Sequence, residues 1–127
     1  MEEIKFSHTV VSYREPVVSL TFTEDSELDV AEIRELIAAA ERLSGKKPYL
    51  LFSDARGNLA ITPEARKVAA AKNEAPLLVA NAVLVNNLGL SITANFFMKF
   101  NKPHFPVRVF YDEKKAMEWL MKFEVKK

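Results

Sequence analysis

Apolar and polar positions alternate along this chain with two different periods, and the switches between periods mark out its elements. Residues 4 to 23 are dense in β-branched and aromatic side chains and are broken at Arg14-Glu15-Pro16, which predicts two strands and an N-terminal hairpin. In the second strand Val18, Leu20 and Phe22 alternate with Ser19, Thr21 and Thr23, the pattern of a half-buried antiparallel strand. Over residues 29 to 44 the period becomes helical: Val30, Ile33, Ile37 and Ala40 recur on one side, with Leu36 and Leu43 widening the stripe. Asp29 and Glu32 have the spacing of a capping box, while Gly45 and Pro48 mark the stop.

Residues 48 to 54 then read as a short buried strand that ends in the polar loop Ala55-Arg56-Gly57-Asn58. Thr62, Pro63 and Glu64 supply the cap, the first helical position and the favourable charge of a second helix. Its inner side, Ala65, Ala69 and Ala70 around Val68, is small enough to lie close on a sheet. Leu77 to Val85 is apolar except for Asn81 and predicts an interior strand buried on both faces. Ile92, Phe96 and Phe100 recur at i, i+4 and i+8 within a third helix over Leu88 to Phe100. Pro103 and Pro106 break the chain before a last strand, Val107 to Tyr111. Asp112 can cap a final helix carrying Ala116, Trp119, Leu120 and Phe123. The order predicts an α/β fold of one domain over residues 1–127: a mixed sheet that begins with the antiparallel hairpin and continues with alternating strands and about four helices.

Composition narrows the function more than the fold. Apolar residues make up 49% and charged residues 28%, so order is expected nearly throughout, the tail from Glu124 to Lys127 excepted. A net charge of +1, with both signs spread along the helices, gives no field or stripe for a nucleic acid. The absence of cysteine removes disulfides, thiolate metal sites and cysteine nucleophiles together. The acidic start Met1-Glu2-Glu3-Ile4-Lys5 is unlike a signal peptide, and no apolar run approaches the ~20 residues that span a bilayer, so a cytoplasmic location is expected.

Several motifs in their order carry a resemblance: Asp54-Ala-Arg-Gly-Asn-Leu-Ala-Ile-Thr-Pro-Glu-Ala-Arg, then Ala82-Val-Leu-Val, Ala94-Asn-Phe-Phe, Asn101-Lys-Pro, and Phe110-Tyr-Asp-Glu-Lys-Lys-Ala-Met-Glu-Trp-Leu. Across most of its length the chain resembles a bacterial family of small STAS/SEC14-type proteins of unknown function. The resemblance implies a SpoIIAA-like (STAS-like) fold. STAS proteins that antagonise anti-sigma factors carry a phosphorylatable Ser or Thr in an Asp-Ser-Ser/Thr-Gly-like sequence, where a helix follows a central strand. This chain departs from that pattern, and Thr62 is the nearest hydroxyl at the helix start. Fold by itself does not assign a function.

Two regions are candidates for function. The first is the polar corner of Asp54, Arg56, Asn58, Thr62 and Arg66, where a helix N-terminus favours an anion and Arg56 and Arg66 are the cations nearest in sequence. Thr62 is also an ordinary helix cap, and Asp54, without an orienting partner nearby in sequence, is more naturally a loop-capping residue than a general base. His8 and His104 lie in different elements, so no metal site is expected. The second region is the aromatic density of Phe96, Phe97 and Phe100, with Asn95 beside them and Phe105 just beyond. Phe96 and Phe97 lie about 100° apart on a helix. Two readings stay open: a thick core takes up all of them, or some aromatic surface is left for a partner or an apolar ligand.

With no cofactor motif and no nucleophile–base pairing, the expectation is a non-enzymatic STAS-like interaction or regulatory module, a homodimer or one with a protein partner, acting through the third helix. The alternative is a carrier of a small apolar or lipid-like ligand, the function hinted at by the SEC14 part of the resemblance, in a cavity near Phe96, Phe100 and Phe105. An uncharacterised hydrolase-like activity is a remote third reading.

Overall fold

The hairpin predicted at the N-terminus is formed by β2 (Thr9–Arg14) and β3 (Val17–Phe22), joined through a cis Glu15–Pro16 peptide bond. The structure, a computed structural model, describes residues 2–23, 26–57 and 59–125. The first predicted strand is in fact two, because Phe6-Ser7-His8 turns the chain, closed by a 2.8 Å hydrogen bond from Phe6 N–H to Thr9 O. The piece before the turn, β1 (Glu2–Lys5), pairs antiparallel with β2. From β3 onward the pairing is parallel, through β5 (Tyr49–Asp54) and β7 (Leu78–Leu84) to β8 (Val107–Phe110). The sheet has six strands in the order β1-β2-β3-β5-β7-β8. A separate parallel ribbon joins β4 (Ser26–Leu28) and β6 (Leu59–Ile61). Strands of three residues are too short for alternation to reveal, and neither was expected.

Three of the four helices start where the capping residues read from the sequence, Asp29, Thr62 and Asp112, predict, and the third helix has a cap, Asn87, that was not read as one. Asp29 accepts from Glu32 N–H at 2.8 Å, and the Glu32 carboxylate accepts from Asp29 N–H, closing the capping box of α1 (Val30–Leu43). After α1 the chain turns through Gly45 at φ 68°, a conformation that glycine adopts without the cost of a Cβ. Thr62 caps α2 (Pro63–Ala70), Asn87 caps α3 (Leu88–Phe100) and Asp112 caps α4 (Glu113–Leu120), each through its own side chain. α2 leans on α1, burying Ala65 and Ala70.

α1, α2 and α3 lie over one face of the sheet and α4 over the other. Below α4 the packing is tight: Ala80, Ala82, Ala116 and Leu120 are fully buried together with Leu50 and Leu84, and Phe52 is buried beside them. On the opposite face the larger core gathers Val11, Val18, Leu20 and Phe22 under Ile33, Leu36 and Ala40 of α1. β7 is an interior strand as predicted, but it is not buried on both faces. Ala80, Ala82 and Leu84 are sealed, whereas the residues between them, Asn81 and Val83, are only half-buried. The helices on that face stand apart over β7, which leaves it incompletely covered.

Candidate functional site

The polar corner separates into two groups. Arg56 clamps the Asp54 carboxylate with two parallel bonds, Nε to Oδ1 at 2.9 Å and Nη2 to Oδ2 at 2.7 Å, and its backbone N–H adds a third at 3.1 Å. These hydrogen bonds hold the Asp54 carboxyl below the usual carboxylate range, against the opposing pull of burial. Arg56 also lies 3.7 Å from Glu113 at the start of α4, so its charge is already shared between carboxylates. Thr62 Oγ accepts from Ala65 N–H at 3.2 Å, which makes it the cap of α2. Arg66 points its Nη1 at the Ile61 carbonyl, 2.9 Å away, and lays its guanidinium 5.3 Å from the centre of the Phe96 ring. Among the described residues no hydrogen bond or ion pair joins Asp54 and Arg56 to Thr62 and Arg66. Asn58 lies outside the described residues.

α3 is held at both ends and stands off the sheet between them. At its start Leu90 is buried with Ala55 and Val85. Beyond its end Phe105 is buried, with His104 set edge-on against it and bonded to the carbonyl of Ala70 through both its backbone N–H (3.2 Å) and its ring Nδ1 (3.1 Å). Leu90 fixes the rotation of the helix: Ala94 and Phe97 follow it on the inner side and, with the exposed Thr93, line a cavity of about 160 Å³. The floor of the cavity includes Leu51 and Ser53 of β5 and Asn81 and Val83 of β7, and its far wall includes Ile33, Leu36 and Ile37 of α1.

The opposite side of α3 is apolar too. Leu88, Ile92, Phe96 and Phe100 are 70%, 59%, 46% and 61% exposed, and the Phe96 and Phe100 rings meet at 4.3 Å between centroids. The aromatic cluster is therefore divided. Phe97 and Phe105 line the cavity, while Phe96 and Phe100 lie outside it, a correction to the expectation that Phe96, Phe100 and Phe105 share one hole. The reason is helical phase, since residues at i and i+4 from Leu88 fall nearly opposite those counted from Leu90. Asn95 faces solvent on the same exposed helix.

Residues 11–124 match a family described as a domain of unknown function, DUF7793. The chain belongs to the DUF7793 family. Its fold is SpoIIAA-like, as the sequence resemblance implied: an uncharacterised DUF3478-family protein from Shewanella loihica PV-4, described as having a SpoIIAA-like fold, matches at a TM-score of 0.58. The likeness covers 88% of the DUF7793 chain and 91% of that protein at 14% identity, so it speaks for the fold alone. No curated protein matches the chain in sequence. Among the described residues, no helix of this DUF7793 chain is long and apolar enough to cross a membrane, and no three His, Asp or Glu side chains are grouped to hold a metal ion.

Sequence reasoning overlooked one polar contact in the DUF7793 cavity. Ser53 Oγ donates to Asn81 Oδ1 at 2.9 Å across β5 and β7. Its signal was present, because Asn81 is the lone interruption of an apolar strand and a polar group there needs a partner. The exposure of Leu88 and Ile92 was also missed. It could have been read from the charge pattern, since α3 carries Lys99 as its only charged side chain and so has no polar face to turn towards water.

Proposed function

We propose that this protein is a non-enzymatic interaction module that pairs with a second copy of itself along the outer side of α3. The observation that carries the reading is the exposed row Leu88, Ile92, Phe96 and Phe100. These residues form a single ridge of the i±4 type, and two such ridges interdigitate at a crossing angle of about −50°. An antiparallel two-fold axis between Ile92 and Phe96 sets the smaller side chain of each copy against the ring of the other, as a self-complementary interface requires. It also runs the two helix dipoles in opposition, and α3 brings no carboxylate to the contact.

Taking ~200 Å² for a large side chain, the row offers roughly 450 Å² per copy, against about 800 Å² per partner in a standard interface. The dimer is accordingly weak and concentration-dependent. The reading is non-enzymatic because Asp54, the carboxylate at the end of a central strand, is tied to Arg56 and made a poorer base by it. Light scattering during size exclusion over a concentration series tests the dimer. The mass should rise from 14.4 kDa towards twice that value, and Ile92→Glu should hold it at the monomer. A wild type that stays monomeric at millimolar concentration, or an Ile92→Glu dimer, refutes the reading.

A further inference from the structure

We infer that the cavity beneath α3 is a binding site for a compact apolar carboxylic acid: one aromatic ring or a short branched chain bearing a single carboxylate. The inference does not depend on the dimer, because it concerns the inner side of the helix. Size sets the body of the ligand. At about 160 Å³ the cavity is close to the ~150 Å³ apolar cavity, engineered in another protein, that takes up benzene. It falls below the ~300 Å³ at which pockets for drug-sized ligands begin, which favours a compact ligand body. Phe97, Val83 and Leu51 around it offer dispersion contacts that nothing in the chain takes up.

Polarity sets the head group. Of the polar residues on the wall, Ser53 donates to Asn81 Oδ1, which uses the acceptor of the amide and leaves its Nδ2 donating to no group among the described residues. Arg66 spends Nη1 on the Ile61 carbonyl and keeps a buried Nε with no partner. The lining contains no Asp or Glu. Donors without acceptors, one of them on a permanent cation, in a pocket with no carboxylate of its own, complement an anion that carries its own apolar body. An apolar ligand without a head group leaves the buried Arg66 Nε without a partner. A small inorganic anion leaves the walls empty.

The test is a titration of the whole chain with sodium benzoate, with toluene as its uncharged counterpart, followed by calorimetry and by amide chemical shifts. Benzoate should bind at least tenfold more tightly than toluene, with the largest shifts at Ser53, Asn81, Ala94 and Phe97. Ala94→Phe, which fills the cavity from α3, should abolish binding of both. Arg66→Gln should remove the benzoate advantage and leave toluene unchanged; should that variant fail to fold, Asn81→Leu is expected to reduce the same advantage. Absence of benzoate binding, equal affinity for toluene, or benzoate binding that survives Ala94→Phe each overturns the proposal. Repeating the titration on Ile92→Glu separates the two readings, since a protein that never dimerises still shows whether the cavity is occupied.

Discussion

The two faces of β7 contrast sharply. On one, Ala80, Ala82 and Leu84 disappear beneath α4, whose Ala116 and Leu120 are fully buried against them. On the other, Asn81 and Val83 stand half-buried below α3, which commits only Leu90 fully to the core. The difference follows from what each helix can show to water. α4 turns Glu113, Lys114, Lys115 and Glu118 outward, so its apolar side has one place to go and packs closely. α3 is apolar on both sides, so burying either side leaves the other exposed. One face of the strand is finished by the chain itself, while the other meets a helix whose two apolar sides both have capacity left.

The largest test of that contrast is truncation. Leu120→Ala should cost about 3 kcal/mol in denaturant unfolding, within the range for a fully buried leucine in a tight core. Phe97→Ala removes a larger side chain yet should cost only about 1–2 kcal/mol, less than the ~3–5 usual for phenylalanine, because one side of its ring already borders the cavity. Equal losses at the two sites would mean that α3 is packed as firmly as α4.

Enlarging side chains should give opposite signs on the two faces. Ala82→Leu drives extra volume into the contact with α4 and should destabilise by about 2 kcal/mol. Ala94→Leu adds volume where space exists and should be neutral or stabilising by up to ~1 kcal/mol. Thermal melts of the two variants settle the matter, and a clear loss in Ala94→Leu would show that the cavity cannot accept the three carbons that leucine adds.

Most of this architecture was legible in the sequence, and where it was not the cause is physical. The Asp29 box, the Thr62-Pro63-Glu64 start and the Asp112 cap placed helices correctly because caps act locally and need no knowledge of the fold. β4 and β6 escaped because strands of three residues exist only through their pairing with each other. The periodicity of α3 was read correctly as helix, but its rotation was not. Two apolar rows on opposite sides give the same helical signal, and the choice between them is made by Leu90 settling against Ala55 and Val85, a tertiary contact. In the polar corner, Asp54 and Arg56 are two residues apart and found each other, whereas the partnership of Ser53 with Asn81 depends on parallel pairing between distant strands.

That partnership supplies a smaller prediction. Asn81→Leu takes the acceptor from Ser53 Oγ and should cost about 1 kcal/mol, while adding Ser53→Ala should recover most of the loss, because removing both polar partners together leaves neither one orphaned. If the double variant is fully stable, the pair is not needed for folding on this open face. Its presence is then explained by something that the cavity binds. If the double variant stays destabilised, the pair belongs to the fold.

The smallest effect is expected at the rim of α4, where Arg56 bridges Asp54 and Glu113. Arg56 is half-exposed, so solvent screening keeps the loss in Arg56→Gln below about 1 kcal/mol at neutral pH. The sign of its pH dependence is fixed by direction. Arg56 lowers the Asp54 carboxyl in the folded protein, so the stabilisation is fully present above the unfolded-state value of about 3.9 and fades as the pH falls through the lower folded value. The gap between wild type and Arg56→Gln should therefore be constant from neutral pH down to about 5 and close in stronger acid. A carbon-detected titration of Asp54 should show its carboxyl moving up towards the ordinary range in the variant. A loss of several kcal/mol would mean that α4 depends on this clamp, and that the close packing over Ala80 and Ala82 is a consequence of it rather than the cause of the firm face.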